Sequence, residues 1–149
     1  MPTTNATSES TGFSPAEHAA IKQRAAELRA EGKQGAKKAD GLQAVLESIA
    51  KMTPADRLIA ERVHVVATAN APGLLPKTWY GMPAYATADG KVVFCFKNAG
   101  KFNTRYSTLE FQEAARLDDG EIWPVSFALQ TWSPAVEAKV AELVAASVS

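Results

Sequence analysis

Apolar residues recur at helical spacing through the first half of the chain and give way, after Trp79, to short aromatic and β-branched runs. Ser14-Pro15 is a helix-start signal, since serine accepts a bond from a free amide and proline loses nothing at the first helical position. The predicted helix runs from Pro15 to about Glu31, with a narrow stripe of Ala20, Ile21, Ala25 and Leu28, so it should dock loosely. The glycine- and lysine-rich stretch that follows predicts a mobile linker over 33–39. Asp40 is placed to cap a second helix carrying Leu42, Val45, Leu46 and Ile49, with Glu47 one turn before Lys51. Thr53-Pro54-Ala55-Asp56 opens a third, whose core face is Leu58, Ile59, Val63 and Val66 and which Ala71-Pro72-Gly73 stops.

The extended segments begin with Trp79-Tyr80-Gly81 and Ala84-Tyr85-Ala86-Thr87. Asp89-Gly90 is a hairpin signal leading into a strand from Lys91 to Phe96. Further strands are expected around Thr104 to Thr108 and from Ile122 to Leu129, separated by a short helical turn over Phe111 to Arg116 and the acidic turn Asp118-Asp119-Gly120. Ser133-Pro134 opens a last helix with an apolar face of Val136, Val140, Leu143 and Val144. Helices, then hairpins, then a helix predict an α+β fold of two layers. An antiparallel sheet of four to five strands would be covered by N-terminal helices and a C-terminal helix. Residues 1–13 are expected to be a disordered tail and 14–149 a single domain, because the first residues lack apolar side chains to offset the entropy of ordering.

Composition narrows the function. Lysine plus arginine and aspartate plus glutamate number 16 each, so no global field gathers nucleic acid or an anionic membrane. The first dozen residues hold no apolar stretch and no later window approaches a membrane span, which makes the cytoplasm the expected location. The single cysteine, Cys95, lies in an apolar run and reads as a small buried hydrophobe of a reducing compartment. Nothing in the length or composition requires a cofactor for stability.

The common catalytic signatures, from the phosphate-cradling glycine loop to His-Glu-x-x-His, have no match in the chain, so an enzyme is the least supported class. His18 falls in the first turn of the loose helix and His64 off the predicted core face; both read as solvated side chains. The most distinctive segment is Pro76-Lys77-Thr78-Trp79-Tyr80-Gly81-Met82-Pro83-Ala84-Tyr85, where Gly81 permits close backbone approach and Pro83 forces Met82 out of the helical region. Taken alone it is an irregular strand plugging one end of the core. A cationic, aromatic stretch one hairpin away adds a second reading, in which Trp79, Tyr80, Met82 and Tyr85 border a concave site with Lys97, Lys101 and Arg105 at its rim. Such a site would take a small carboxylate or phosphate. A second constellation is acidic: Glu110, Glu113, Asp118, Asp119 and Glu121 offer oxygens suited to Mg²⁺, Ca²⁺ or weakly held iron, against the commoner role of a charged, solubilising turn.

The run Pro76 to Tyr85, followed by Gly90-Lys91-Val92-Val93-Phe94, Lys97, Lys101 and Tyr106, resembles the YdhG-like family of small bacterial proteins over about Leu42 to Val148. That resemblance implies a two-layer α+β fold. It also implies, through the grouping of the family with frataxin-like proteins, an intracellular iron-binding or iron-chaperone role, with iron-cluster or haem assembly proteins as partners. The chain departs from many relatives at Lys101-Phe102-Asn103, where they read Lys-His-Ile, and in its neutral net charge. Two readings follow: an iron chaperone using the carboxylates of 110–121, and a non-enzymatic binding module for a small anion at the aromatic bend.

Overall fold

A computed structural model of the chain describes residues 13–34 and 38–149. All but Phe13 of the expected tail, and residues 35–37 of the expected linker, lie outside the described residues. The chain enters α1 (Pro15–Gln34), α2 (Lys38–Ala50) and α3 (Pro54–Asn70) in turn. Ser14 and Glu17 make a reciprocal cap on α1: Ser14 Oγ accepts from Glu17 N at 3.1 Å and Glu17 Oε1 accepts from Ser14 N at 2.8 Å. Thr53 Oγ1 caps α3 by accepting from Asp56 N at 3.3 Å. α2 starts at Lys38, ahead of the expected cap Asp40, which falls in its first turn where a carboxylate still complements the positive helix end. The helices therefore extend into both ends of the stretch expected to be a linker.

Five strands follow: β1 (Leu75–Trp79), β2 (Met82–Ala86), β3 (Val92–Lys97), β4 (Ser107–Phe111) and β5 (Ser126–Leu129). They form one antiparallel sheet in sequence order. The four-residue helix α4 (Ala99–Phe102) sits between β3 and β4, and α5 (Pro134–Ser147) closes the chain, capped by Ser133 Oγ, which accepts from Val136 N at 3.2 Å. An α+β fold with a helix-covered antiparallel sheet is what the pattern of the sequence predicts. No helix among the described residues is long and apolar enough to cross a membrane.

Several boundaries differ from expectation, each for a local reason. β1 begins at Leu75, and Tyr80-Gly81 is a two-residue hairpin turn closed by Trp79 and Met82. Both turn residues have positive φ (54° and 78°), which is costly for tyrosine and gives the sequence no Asn-Gly signature to read. Pro83 lies opposite Thr78, a pair next to the turn whose amides point away from each other, and pairing with β3 begins only at Ala84. Its missing N–H therefore costs no bond to β1 and falls on the side facing β3. A bulge opposite Ala86 lets the consecutive Val93 and Phe94 both be buried. β4 starts at Ser107 rather than near Thr104, because Asn103 ends α4 in the left-handed region and Thr104 Oγ1 donates to Tyr106 O at 2.9 Å in a local turn. Residues after Phe111 form turns instead of a helix, and β5 is confined to four residues, leaving Ile122 88% exposed.

The core occupies one sheet face. Tyr85, Phe94, Phe96, Leu109 and Phe111 pack there against Val45, Ile49 and Met52 of α2, Ile59, Val63 and Val66 of α3, and Val140 and Val144 of α5. Its spine is a row of rings: Tyr85 stacks on Phe94 at 5.0 Å, Phe94 meets Phe111 at 5.4 Å, and Phe111 meets Phe127 edge-on at 6.0 Å. Leu58, expected in this core, is 50% exposed, since the buried stripe of α3 runs through Ile59, Val63 and Val66 and its neighbour in sequence is turned away by about 100°. Leu46 is likewise exposed beside the buried Val45 and Ile49. A smaller apolar cluster on the opposite sheet face joins Met82, Ala84 and Cys95 with Trp79, Tyr80, Val92 and Phe102. Cys95 is buried there, and burial is the main cause that pushes its thiol up to about 12, in keeping with a packing role.

Candidate functional site

The β1–β2 turn is the hub around which polar side chains from three helices gather. Tyr80 N and Gly81 N each donate to the carboxylate of Glu27 on α1, at 3.0 Å to Oε1 and 3.0 Å to Oε2. Ser48 Oγ of α2 donates to Gly81 O at 2.8 Å. Lys101 Nζ of α4 donates to Tyr80 O at 3.2 Å and to Gln23 Oε1 of α1. Glycine suits the positive φ of Gly81, and a methyl group there would overlap Gln23 Oε1 and Lys101 Nζ, so those two side chains would have to move aside.

Between these elements lies a cleft of about 440 Å³ bordered by α1, α2, the turn and α4. Lys51 and Lys101 supply its cations, Glu27 and Glu47 its carboxylates, and Gln23, Ser48 and Asn98 neutral polar groups. Burial lowers the affinity of Lys101 for its proton, and the nearby Glu27 carboxylate opposes that effect. α4 holds Lys101 in place through a buried carboxylate: Asp56 Oδ2 accepts from Gly100 N at 2.8 Å and from Asn98 Nδ2 at 3.3 Å. A Cβ at Gly100 would come within 2.8 Å of Asp56 Oδ2, so the close approach depends on that glycine.

Of the residues expected to bind a ligand, Lys101 borders this cleft, while Trp79, Tyr80 and Met82 belong to the apolar cluster on the other sheet face. Tyr85 is a correction: it is buried in the main core, because it lies an odd number of residues from Met82 along one strand and so faces the opposite side. Lys97 Nζ lies 5.1 Å over the Phe102 ring, and exposed Arg105 sits 5.0 Å from the ring of Tyr106. These two cations are not in the cleft lining. The acidic set does not converge on one point either. Glu110 is on β4, with Oε1 3.9 Å from Cys95 Sγ, whereas Glu113, Asp118, Asp119 and Glu121 are exposed along the turns after it. Among the described residues no three histidine, cysteine or acidic side chains are placed to hold a metal ion. The sequence does not single out Gln23, Glu27, Ser48 or Asn98 of the cleft, nor the role of Asp56 behind α4. Glu27 is 53 residues from Tyr80, and no local spacing announces such a contact.

His64, expected to be solvated, is half-buried, and its Nδ1 lies 2.7 Å from Tyr85 Oη. Burial lowers its pKa below the ordinary 6.5, and burial raises that of Tyr85, so a neutral imidazole and a neutral phenol share this bond near neutral pH, its direction set by the imidazole tautomer. A histidine with a depressed folded-state pKa stabilises fully above its unfolded value. That contribution is lost as pH falls from about 6.5 through the depressed value, where the unfolded chain binds more protons. Urea midpoints should therefore fall between pH 7.5 and 5.5 by more in the wild type than in His64→Gln; an equal fall in both would assign the acid sensitivity elsewhere.

Comparison with protein-family models, curated proteins and solved structures finds no match.

Proposed function

We propose that the protein is a non-enzymatic binding module whose cleft takes a small anionic ligand, a carboxylate or a phosphate. The observation that carries this reading is Lys101. Its ammonium is half-buried at the border of the cleft and is held there by Tyr80 O and Gln23, with Lys51 on another wall. A partly desolvated ammonium binds an oxyanion more strongly than a solvated one, because less water must be displaced and the local dielectric is lower. Ser48 and Asn98 can fix the orientation of the bound group by hydrogen bonds. With no net charge on the chain and with Glu27 and Glu47 beside the two lysines in the lining, selectivity for anions rests on Lys101 and not on long-range steering, the Glu27 carboxylate being already bonded to the turn amides.

The iron-handling role implied by the resemblance has no observation of this kind in its favour, since the carboxylates of 110–121 do not converge. The test of the anion reading is a titration of the wild type and Lys101→Met with inorganic phosphate and acetate, followed by heteronuclear NMR. Shifts should map to the cleft, and the variant should lose about tenfold or more in affinity, the size of one charge-assisted hydrogen bond, with its fold intact. Unchanged cleft resonances at millimolar anion, or equal affinity in the variant, would overturn the reading.

A further inference from the structure

The β1–β2 turn carries an anion already, supplied by the chain itself. Two consecutive amides, Tyr80 and Gly81, point at one carboxylate because both residues adopt positive φ. Successive backbone N–H groups in such a turn form a concavity that attracts anions regardless of their source. Glu27 fills it with one oxygen on each amide, and Arg24 Nη1 on the same helix lies 3.4 Å from Glu27 Oε1. The ammonium of Lys101 is bonded to Tyr80 O at the same turn and senses the Glu27 charge. In chemical terms the Glu27 carboxylate is a tethered copy of the ligand assigned to the neighbouring cleft.

The helix that delivers it is poorly anchored by apolar burial. Among the described side chains of α1 only Ala20 is buried, while Ile21 and Leu28 remain 44% and 53% exposed. What ties α1 to the sheet is mainly polar: Glu27 to the turn amides and Gln23 to Lys101. Such contacts can be exchanged for equivalent ones to a ligand, whereas buried apolar surface cannot.

We infer that Glu27 is a built-in competitor for the anion site, and that a carboxylate or phosphate ligand binds the Tyr80-Gly81 amides and Lys101 by displacing α1. The inference rests on the anion reading above and adds its regulation. α1 is then a latch: with the latch closed, only the fraction of molecules in which Glu27 has left can accept ligand in full, and apparent affinity is reduced by that fraction. Tethering gives Glu27 a high effective concentration at the turn, so a free anion must exceed it to open the latch.

The test uses the full chain and two readouts. Inorganic phosphate and acetate are titrated separately into wild type and Glu27→Gln, following the Tyr80 and Gly81 amide resonances, while hydrogen exchange is measured across α1 with and without saturating anion. The glutamine keeps the shape but not the charge, and it has one acceptor oxygen for two amides. The expected result is affinity at least about tenfold tighter in Glu27→Gln, as removal of a tethered competitor requires. In the wild type, exchange in α1 should be faster at saturation while α3 and the sheet stay unchanged. A response to acetate assigns the ligand class to carboxylates, and a response to phosphate alone assigns it to phosphates; either supports the inference. Equal affinities with α1 protection unchanged by ligand overturn the latch and leave the anion site standing. No response of the cleft or the turn amides in either protein overturns both. The exchange measurement on wild type alone decides the matter should Glu27→Gln fail to fold.

Discussion

Phe94→Ala is expected to cost about 3–5 kcal/mol of unfolding free energy, read from the urea midpoint at constant slope. Phe94 is fully buried, stacked on Tyr85 on one side and against Phe111 on the other, and its strand is flanked by β2 and β4. Truncation removes the transfer free energy of the ring and leaves a cavity walled by two other aromatic rings. Those rings sit on hydrogen-bonded strands that cannot close the gap. Because domains of this kind are stable by only about 5–15 kcal/mol, the loss would be a large share of the total. Phe94→Leu, which refills part of the space, should fall well short of it. A cost below about 1 kcal/mol for the alanine would mean that the ring row is not the centre of the core.

Gly41→Ala should destabilise by about 2–3 kcal/mol, although alanine is the better helix former by about 1 kcal/mol. Gly41 is on α2 where that helix rests on β1. A Cβ there would overlap Pro76 O and come within 3.2 Å of Pro76 C and 3.7 Å of Lys77 Cα. All three are backbone atoms of a paired strand, so no side-chain rotation can relieve the contact. The helix has to lift, and with it Ala44, Glu47 and Ser48, which form one wall of the cleft. The same exchange at Gly73, where an added Cβ meets nothing within 4 Å, should leave the midpoint nearly unchanged. If Gly41→Ala were neutral or stabilising, the close seating of α2 on β1 would be wrong, and the cleft as described would be wrong with it.

α3 and α5 were legible because two independent signals coincide in each, a Thr-Pro or Ser-Pro start and buried side chains at helical spacing such as Val140 and Val144, whereas α2 showed only the spacing of Val45 and Ile49 and α1 only its Ser-Pro start. The sheet was legible in kind and less so in its limits. Tyr80 at positive φ hides a hairpin turn inside what reads as a strand, and Ile122 looks like the start of β5 although it stands in solvent. At the site, Lys101 was readable as a cation near the bend. Its partners were not, since Gln23 and Glu27 belong to a helix that turns polar groups toward the sheet, and periodicity ranks only apolar positions. The grouping of Tyr85 with Trp79 and Met82 could have been avoided. Residues an odd number of positions apart on one strand take opposite faces, and the alternation is visible in the sequence itself.

Pro83 also governs the pairings the hairpin can avoid while it forms. In the native alignment the proline occupies a position whose amide would face away from β1 and lies short of the first β3 pair. Sliding β2 by one residue along β1 would bring that position into the ladder, where a donor is needed and the ring has none, and would also turn Tyr85 out of the core. The misaligned hairpin is thus penalised twice, by a missing hydrogen bond and by an exposed aromatic ring. A ring that takes nothing from the native pairing of β2 with β1 therefore acts as a proofreading device for the alignment of that hairpin.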